Sequence, residues 1–332
     1  MRLITILITG ILIYSTAISS TCGQANQAGQ KPTVIIVVGA AGTEEYGVQF
    51  TQCANLWQQA AYKGNVESVV IGLDEGDCDD RTILQQTLQN EPNETDMALW
   101  LVLIGHGTFD SRTAKFNLRG LDFSSEDLAE WLKPLHRPIV IINTTSSSAP
   151  FLNKLSANTR VVITATKSGY ELNYTRFGQY LADAIIKPQA DLDKDGQTSL
   201  LEAFLTASGR VSEFYSAAGR LATEHALLDD NGDGLGTPAD WFRGIRPVKK
   251  ARDNTTLDGY HAHQFYLVRS EAENKMPPQL RGKRDQLELE VIKLRDTKES
   301  FSEEEYFTKL EKLLYEIAQI YEQIEKNEKN IK

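Results

Sequence analysis

Two stretches of this chain carry residue types that do acyl-transfer chemistry. "VLIGHGTFD" (102–110) sets His106 between Gly105 and Gly107, directly after an apolar run. "IVIINTTSSSAPF" (139–151) drops from a second apolar run into Asn143, Thr144, Thr145 and three serines beginning at Ser146. An imidazole is the usual general base near neutral pH, and a hydroxyl is the group it activates. Flanking glycines let a substrate approach the backbone closely, and a free N–H at Gly107 would stabilise a developing oxyanion. The candidate catalytic set is therefore His106, Gly107, Thr145 and Ser146.

A different chemistry is written in "DLDKDGQTSLLE" (191–202). Asp191, Asp193 and Asp195 alternate, Gly196 permits a sharp turn, Gln197 offers its carbonyl, and Ser199 and Glu202 close the pattern. Calcium is a hard cation that takes about six to eight oxygen ligands, and this spacing wraps them around one point. "DDNGDGLGTPAD" (229–240) begins the same way with Asp229, Asn231 and Asp233. It then departs, because Pro238 intrudes and Asp240 stands where a glutamate is expected. The expected cofactor is Ca2+, with the second loop the weaker or more irregular site.

The elements that must position these groups alternate. "TVIIVVG" (33–39), "ESVVIG" (67–72), "ALWLVLIGHG" (98–107), "RPIVIIN" (137–143) and "TRVVITAT" (159–166) read as strands, most of them continuous apolar runs. Helical spacing falls between them at 50–64, 79–89 and 124–135. Such alternation predicts an α/β fold, a three-layer arrangement of a mostly parallel sheet with helices on both faces. Ligands of such sheets bind beyond the carboxyl ends of the strands, which is where His106 and the hydroxyl run fall. "AHQFYLV" (262–268) is expected to return as a last strand. Beyond Pro277-Pro278, Leu287, Val291 and Leu294 form one apolar stripe, and Leu310, Leu313, Ile317, Ile320 and Ile324 a second. Ser302 with Glu305 makes a capping box between them, which predicts a C-terminal helical hairpin over 278–328, docked on the domain or self-pairing.

In order and spacing, "LVLIGHG" followed by "IVIINTTSSS" and "RVVITAT" resembles the caspase/legumain superfamily of cysteine peptidases over residues 33–187. In that family one strand ends in His-Gly and the next in a segment carrying the nucleophilic cysteine. The resemblance implies a peptidase fold over 33–270 and a peptide or protein ligand in the cleft. It also places Thr145 where the cysteine belongs, with Ser146 one residue away. A hydroxyl is far less acidic than a thiol and needs an oriented base, and nothing in the sequence makes nearby Asp110 that orienting group. The acidic loops resemble EF-hand or dockerin-type motifs.

The chain has 332 residues, 41% of them hydrophobic, with a formal net charge of −10. That acidity argues against a nucleic-acid surface. Residues 1–21 read as a signal peptide, with Arg2 before an apolar stretch too short for a membrane span, and 22–32 as a polar linker. Export to a periplasm, envelope or medium is expected, without a membrane span in the mature protein. Cys22 is the one point where a lipid anchor would attach, although "SSTC" matches a lipoprotein cleavage site poorly. In an oxidising compartment Cys53 and Cys78 make a natural pair, and two unpaired thiols are the alternative. Three readings of function follow. One is a calcium-binding, non-catalytic peptidase homologue that holds peptide. Another is an endopeptidase using Thr145 or Ser146 with His106. The last is a structural envelope protein that self-associates through its C-terminal helices.

Overall fold

The structure is a computed structural model that describes residues 33–74, 79–249 and 257–331. The signal peptide, the linker, Cys22 and Cys78 lie outside those residues. The chain opens with β1 (Thr33–Val38), α1 (Glu44–Lys63), β2 (Glu67–Ile71), α2 (Asp80–Asn90) and β3 (Leu99–Ile104). A small hairpin sheet follows: β4 (Gly107–Phe109), β5 (Ala114–Phe116) and β6 (Phe123–Ser124). Then come α3 (Ser125–Leu132), β7 (Ile139–Asn143), α4 (Ala149–Leu155), β8 (Arg160–Thr164), α5 (Phe177–Ile186) and α6 (Leu200–Ala217). Short strands β9 (Leu227–Asp229), β10 (Thr237–Pro238), β11 (Phe242–Arg243) and β12 (Arg246–Pro247) lead to helices α7 (Glu271–Lys275), α8 (Pro278–Asp296) and α9 (Glu303–Ile331).

The main sheet has the order β10-β9-β8-β7-β3-β1-β2. Its five long strands are parallel, and β9 and β10 run antiparallel at one edge. The apolar runs explain this. Successive residues of a strand face opposite sides, so a strand apolar throughout needs cover on both. Val34, Ile36, Val102 and Ile142 pack under α1, α5 and α6, where Trp57, Phe177 and Phe204 fill the layer. Ile35, Val37, Leu101 and Ile141 pack on the other face under α2, α3 and α4, with Leu84, Leu128 and Phe151. This is the expected three-layer α/β arrangement. The chain passes from β1 to β2 on one side and to β3 on the other, so a crevice opens at the carboxyl ends of β1 and β3. His106 follows β3 there.

One expected strand is absent. Residues 262–268 contain a short 3-10 turn (Ala262–Gln264) and run as irregular chain, and the sheet edge is taken by β9 and β10. The apolar residues Ala262 and Leu267 are buried against the α1/α5/α6 layer. Burial, not strand pairing, is what their pattern records. The capping box is present, with Glu305 accepting from the Ser302 amide at 3.0 Å and its hydroxyl at 2.8 Å. The hairpin docks on the segment before it. Arg284 of α8 holds Glu273 at 2.7 and 2.9 Å, and the Tyr260 hydroxyl donates to Asp296 at 2.6 Å. Among the described residues no helix is long and apolar enough to cross a membrane.

Candidate functional site

The half-buried imidazole of His106 sits at the switch crevice. Its Nε2 lies 3.2 Å from the carbonyl oxygen of Ala41, just past β1. A carbonyl only accepts, so Nε2 carries the proton and the basic lone pair is at Nδ1. Tyr46 and Phe50, one turn apart on α1, meet the ring edge-on at 4.8 and 5.1 Å between centroids. Tyr174 lies tilted against Tyr46 at 5.4 Å and stacks on Phe50 at 6.3 Å. These aromatics escaped the sequence reading. Their signal is an i, i+4 pair in the first turns of the helix that must start at the strands' carboxyl ends.

The hydroxyl run lies beside Gly107 and is almost wholly internal. Thr145 is 0% and Ser146 4% exposed. Asn143 Oδ1 accepts from the Thr145 amide at 3.1 Å and its hydroxyl at 2.7 Å, and the same hydroxyl reaches the Ser146 carbonyl at 3.0 Å. Ser146 Oγ accepts from the Gly107 amide at 3.3 Å and donates to the Gly107 carbonyl at 3.1 Å. Both hydroxyls therefore have carbonyl oxygens as acceptors, and no imidazole nitrogen is among their partners in the described residues. The Gly107 N–H, expected to be free, is taken by Ser146. A Cβ on Gly107 would stand 2.2 Å from the Ser146 carbonyl oxygen, so only glycine allows this contact. Thr144 and Ser148 are committed in the same way, to the Leu103 carbonyl and to Thr166. Asp110 accepts from the Arg112 and Thr113 amides in its own turn, and those donors hold its carboxyl below the usual range.

The outer side of this aromatic wall is a recess of 340 Å³, formed by Tyr46, Tyr174, Arg176, Phe214 and Arg220 among others. The Arg176 guanidinium lies 4.1 Å over the Phe214 ring. Beneath it, buried Glu224 accepts from the amides of Arg176 and Phe177 at 2.8 and 3.0 Å, holding the start of α5. Burial pushes its carboxyl up to about 7.

The first acidic loop brings its three aspartates together. One ligand atom each from Asp191, Asp193 and Asp195 lies within 4.8 Å of the others. Burial raises the carboxyls of Asp193 and Asp195, helped at Asp193 by the charges of Glu202 and Asp191 and at Asp195 by those of Asp193 and Asp191. An all-oxygen donor set with surplus negative charge fits calcium. Glu202 stands apart from that trio. It is fully buried, and its two oxygens accept from the Leu192 and Asp193 amides (2.7 and 3.1 Å) and from the Ser199 amide and hydroxyl (both 2.8 Å). Gln197 Oε1 accepts from the Ser270 amide at 3.1 Å. His263, which the sequence did not single out, lies 3.4 Å from Asp193 and 3.1 Å from the Ser199 hydroxyl.

The second loop closes differently. Asp229 ends β9, Asn231 and Asp233 make local turns, and the chain returns as β10. Asp240 is not gathered with them. It is exposed and pairs with Lys249 at 3.1 Å. Among the described residues Cys53 is a free, buried thiol pushed up to about 12 by desolvation, and its expected partner Cys78 lies outside them.

No protein-family model matches the chain, and no curated protein matches it. Among solved structures it is similar to caspase-1 from Spodoptera frugiperda, at 10% identity and a TM-score of 0.41, over 60% of this chain and 86% of that one. It is also similar to the Drosophila initiator caspase Dronc, at 13% identity and a TM-score of 0.38, over 71% of this chain and 95% of that one. The α/β architecture rests on the strands and helices themselves.

Proposed function

We propose that this is an exported, calcium-binding protein on a caspase/legumain-like scaffold, which holds peptide without hydrolysing it. The observation that carries the reading is what the two hydroxyls are bonded to. A serine or threonine nucleophile must give its proton to the base. Here Thr145 gives its hydrogen to Asn143 and the Ser146 carbonyl, and Ser146 gives its to Gly107. The run acts as a strut between the ends of β3 and β7, while the lone pair of His106 has no hydroxyl bonded to it among the described residues. Peptide retention rests on the aromatic recess beside His106, where Arg176 and Arg220 offer cations to carbonyls and carboxylates. Calcium rests on the aspartate trio of the first loop.

The test is turnover and retention of a mixed peptide library with calcium present, comparing wild type with His106→Ala, Thr145→Ala and Ser146→Ala. Wild type is expected to retain peptides without efficient cleavage. Turnover that disappears in His106→Ala and in one hydroxyl variant would make this a Ser- or Thr-dependent peptidase instead.

A further inference from the structure

The C-terminal hairpin carries more apolar surface than its two helices cover for each other. In α9, Tyr306, Leu310, Leu313, Ile317, Ile320 and Ile324 recur at alternating steps of four and three, and all six are buried or half-buried. That is the narrow seam through which a helix meets one partner, here α8. A second apolar line runs beside it. Phe307, Leu314 and Tyr321 stand seven residues apart and are 50%, 50% and 44% exposed. Seam and line together make the wider stripe of a helix that packs against two neighbours. Among the described residues α8 is the only element packed extensively along α9. The uncovered line borders a groove of 560 Å³, where Leu314, Ile317 and Tyr321 meet Val291 and Ile292 of α8.

Both flanks of this surface are acidic. On a helix the neighbours of a residue lie three and four positions away. Around Phe307, Leu314 and Tyr321 those positions hold Glu303, Glu304, Glu311 and Glu325 or apolar residues, and no lysine or arginine. On the other flank, Asp193, Asp195, Glu273, Asp285 and Glu288 line the groove, with Arg284 and His263 as its basic groups. Arg284 is held between Glu273 and Asp285 at 2.7 and 2.5 Å, and His263 lies 3.4 Å from Asp193. Five carboxylates against two basic groups leave the groove negative. A second copy of α9 would bring the same glutamates against these, and an anionic membrane surface the same sign of charge. We propose that the Phe307–Leu314–Tyr321 line and the groove beside it receive a basic amphipathic helix of another protein. Its apolar side lies on α9, and its lysines or arginines reach the two acidic flanks. The line runs about 21 Å, so about four turns of such a helix cover it. This surface shares no residue with the recess beside His106 and needs neither calcium nor a peptide held there.

The experiment titrates the full chain into fluorescently labelled peptides of about five helical turns, read by anisotropy. One carries leucines at i, i+3, i+4 and i+7 with lysines elsewhere. Its twin has glutamates for the lysines, and a third is the lysine peptide scrambled so that no apolar face forms. The lysine helix is expected to bind at least about tenfold tighter than either control. Leu314→Glu, at an exposed position, should weaken it by about tenfold or more with Tm little changed. Glu311→Lys should weaken the lysine helix several-fold and tighten the glutamate twin, a reversal that mere loss of structure does not produce. Equal binding of the scrambled peptide overturns the proposal, because charge alone then suffices. Undiminished binding by Leu314→Glu overturns it as well. So do dimers in sedimentation that Leu314→Glu dissociates, which make a second copy the occupant. Binding to phosphatidylglycerol vesicles that the same variant loses makes a membrane the occupant and overturns it too.

Discussion

Ser146→Ala separates a strut from a nucleophile. The Ser146 hydroxyl is buried and answers both backbone groups of Gly107, accepting from the amide at 3.3 Å and donating to the carbonyl at 3.1 Å. A typical hydrogen bond contributes about 1 kcal/mol net, and a buried group left unsatisfied costs about 1–3 kcal/mol. Gly107 is only half-buried, so water can reach part of what the hydroxyl leaves behind. The first bond is long and contributes least. Alanine at 146 should therefore cost about 1–3 kcal/mol of stability. Urea unfolding followed by tryptophan fluorescence measures this, because Trp57 and Trp100 are buried on the same layer as α1. The midpoint should fall with the slope unchanged, since the substitution alters neither native compactness nor the area exposed on unfolding.

The catalytic alternative expects the opposite pair of results. Residues kept for chemistry are often held at the expense of stability, so removing one leaves the protein as stable or more so while activity disappears. A Ser146→Ala variant at least as stable as wild type, with any peptide turnover abolished, would refute the strut argument. A destabilised variant with unchanged peptide retention would support it.

Other outcomes follow from the same contacts. Glu224 ionises at about 7 in the folded chain against 4.5 ordinarily, so the stability it contributes is complete below 4.5 and lost as pH rises through 7. That interval corresponds to about 3 kcal/mol at most, so unfolding of wild type and Glu224→Gln should diverge in favour of wild type as pH falls from about 8 to about 4. Calcium at about a hundred times its dissociation constant should add about 2.7 kcal/mol to unfolding, read as a rise in Tm that Asp195→Asn abolishes. Cys53 should resist alkylation in native protein even in the presence of reductant, because the thiol is buried and protonated, and should react only on unfolding.

The sheet was legible because its signal is local. Four apolar, β-branched runs with helical segments between them admit few arrangements, and a strand without polar residues must be covered on both sides; the fifth, β2, keeps Glu67, Ser68 and Val69 exposed because it is the sheet's edge. What the sequence left open was the direction of each polar hydrogen. Gly107 meets Thr145 and Ser146 at the ends of β3 and β7, and His106 stands next to it in the chain against Ala41, Tyr46 and Phe50. Whether a hydroxyl serves a base or a carbonyl depends on the turn at Asn143, whose Oδ1 takes the Thr145 hydroxyl, and on the glycine that lets β4 approach. The misplaced strand at 262–268 has a similar origin. Apolar residues under a helix layer and apolar residues in a short strand read alike, and only the pairing of β9 with β10 decides between them.

The two acidic loops mark the same boundary between local and tertiary information. In both, the first aspartate accepts from the amide three residues on, Lys194 to Asp191 at 2.7 Å and Gly232 to Asp229 at 3.1 Å. The third and fifth positions accept two residues on, at 3.2 and 2.9 Å in one loop and 2.8 and 2.7 Å in the other. The left-handed residues also coincide, Lys194 and Gly196 against Gly232 and Gly234. Short side chains bonding to their own backbone fix this much in any context. The far end is another matter. After Ser199 the first loop enters α6, whose capping box draws Glu202 back across the loop. The second pairs Thr237 and Pro238 back along β9 and makes only a short 3-10 turn (Ala239–Trp241), which leaves Asp240 outside on Lys249. The opening residues are nearly the same and the far ends are not: Glu202 lies bonded to the Leu192 and Asp193 amides of its own loop, and Asp240 lies outside the second.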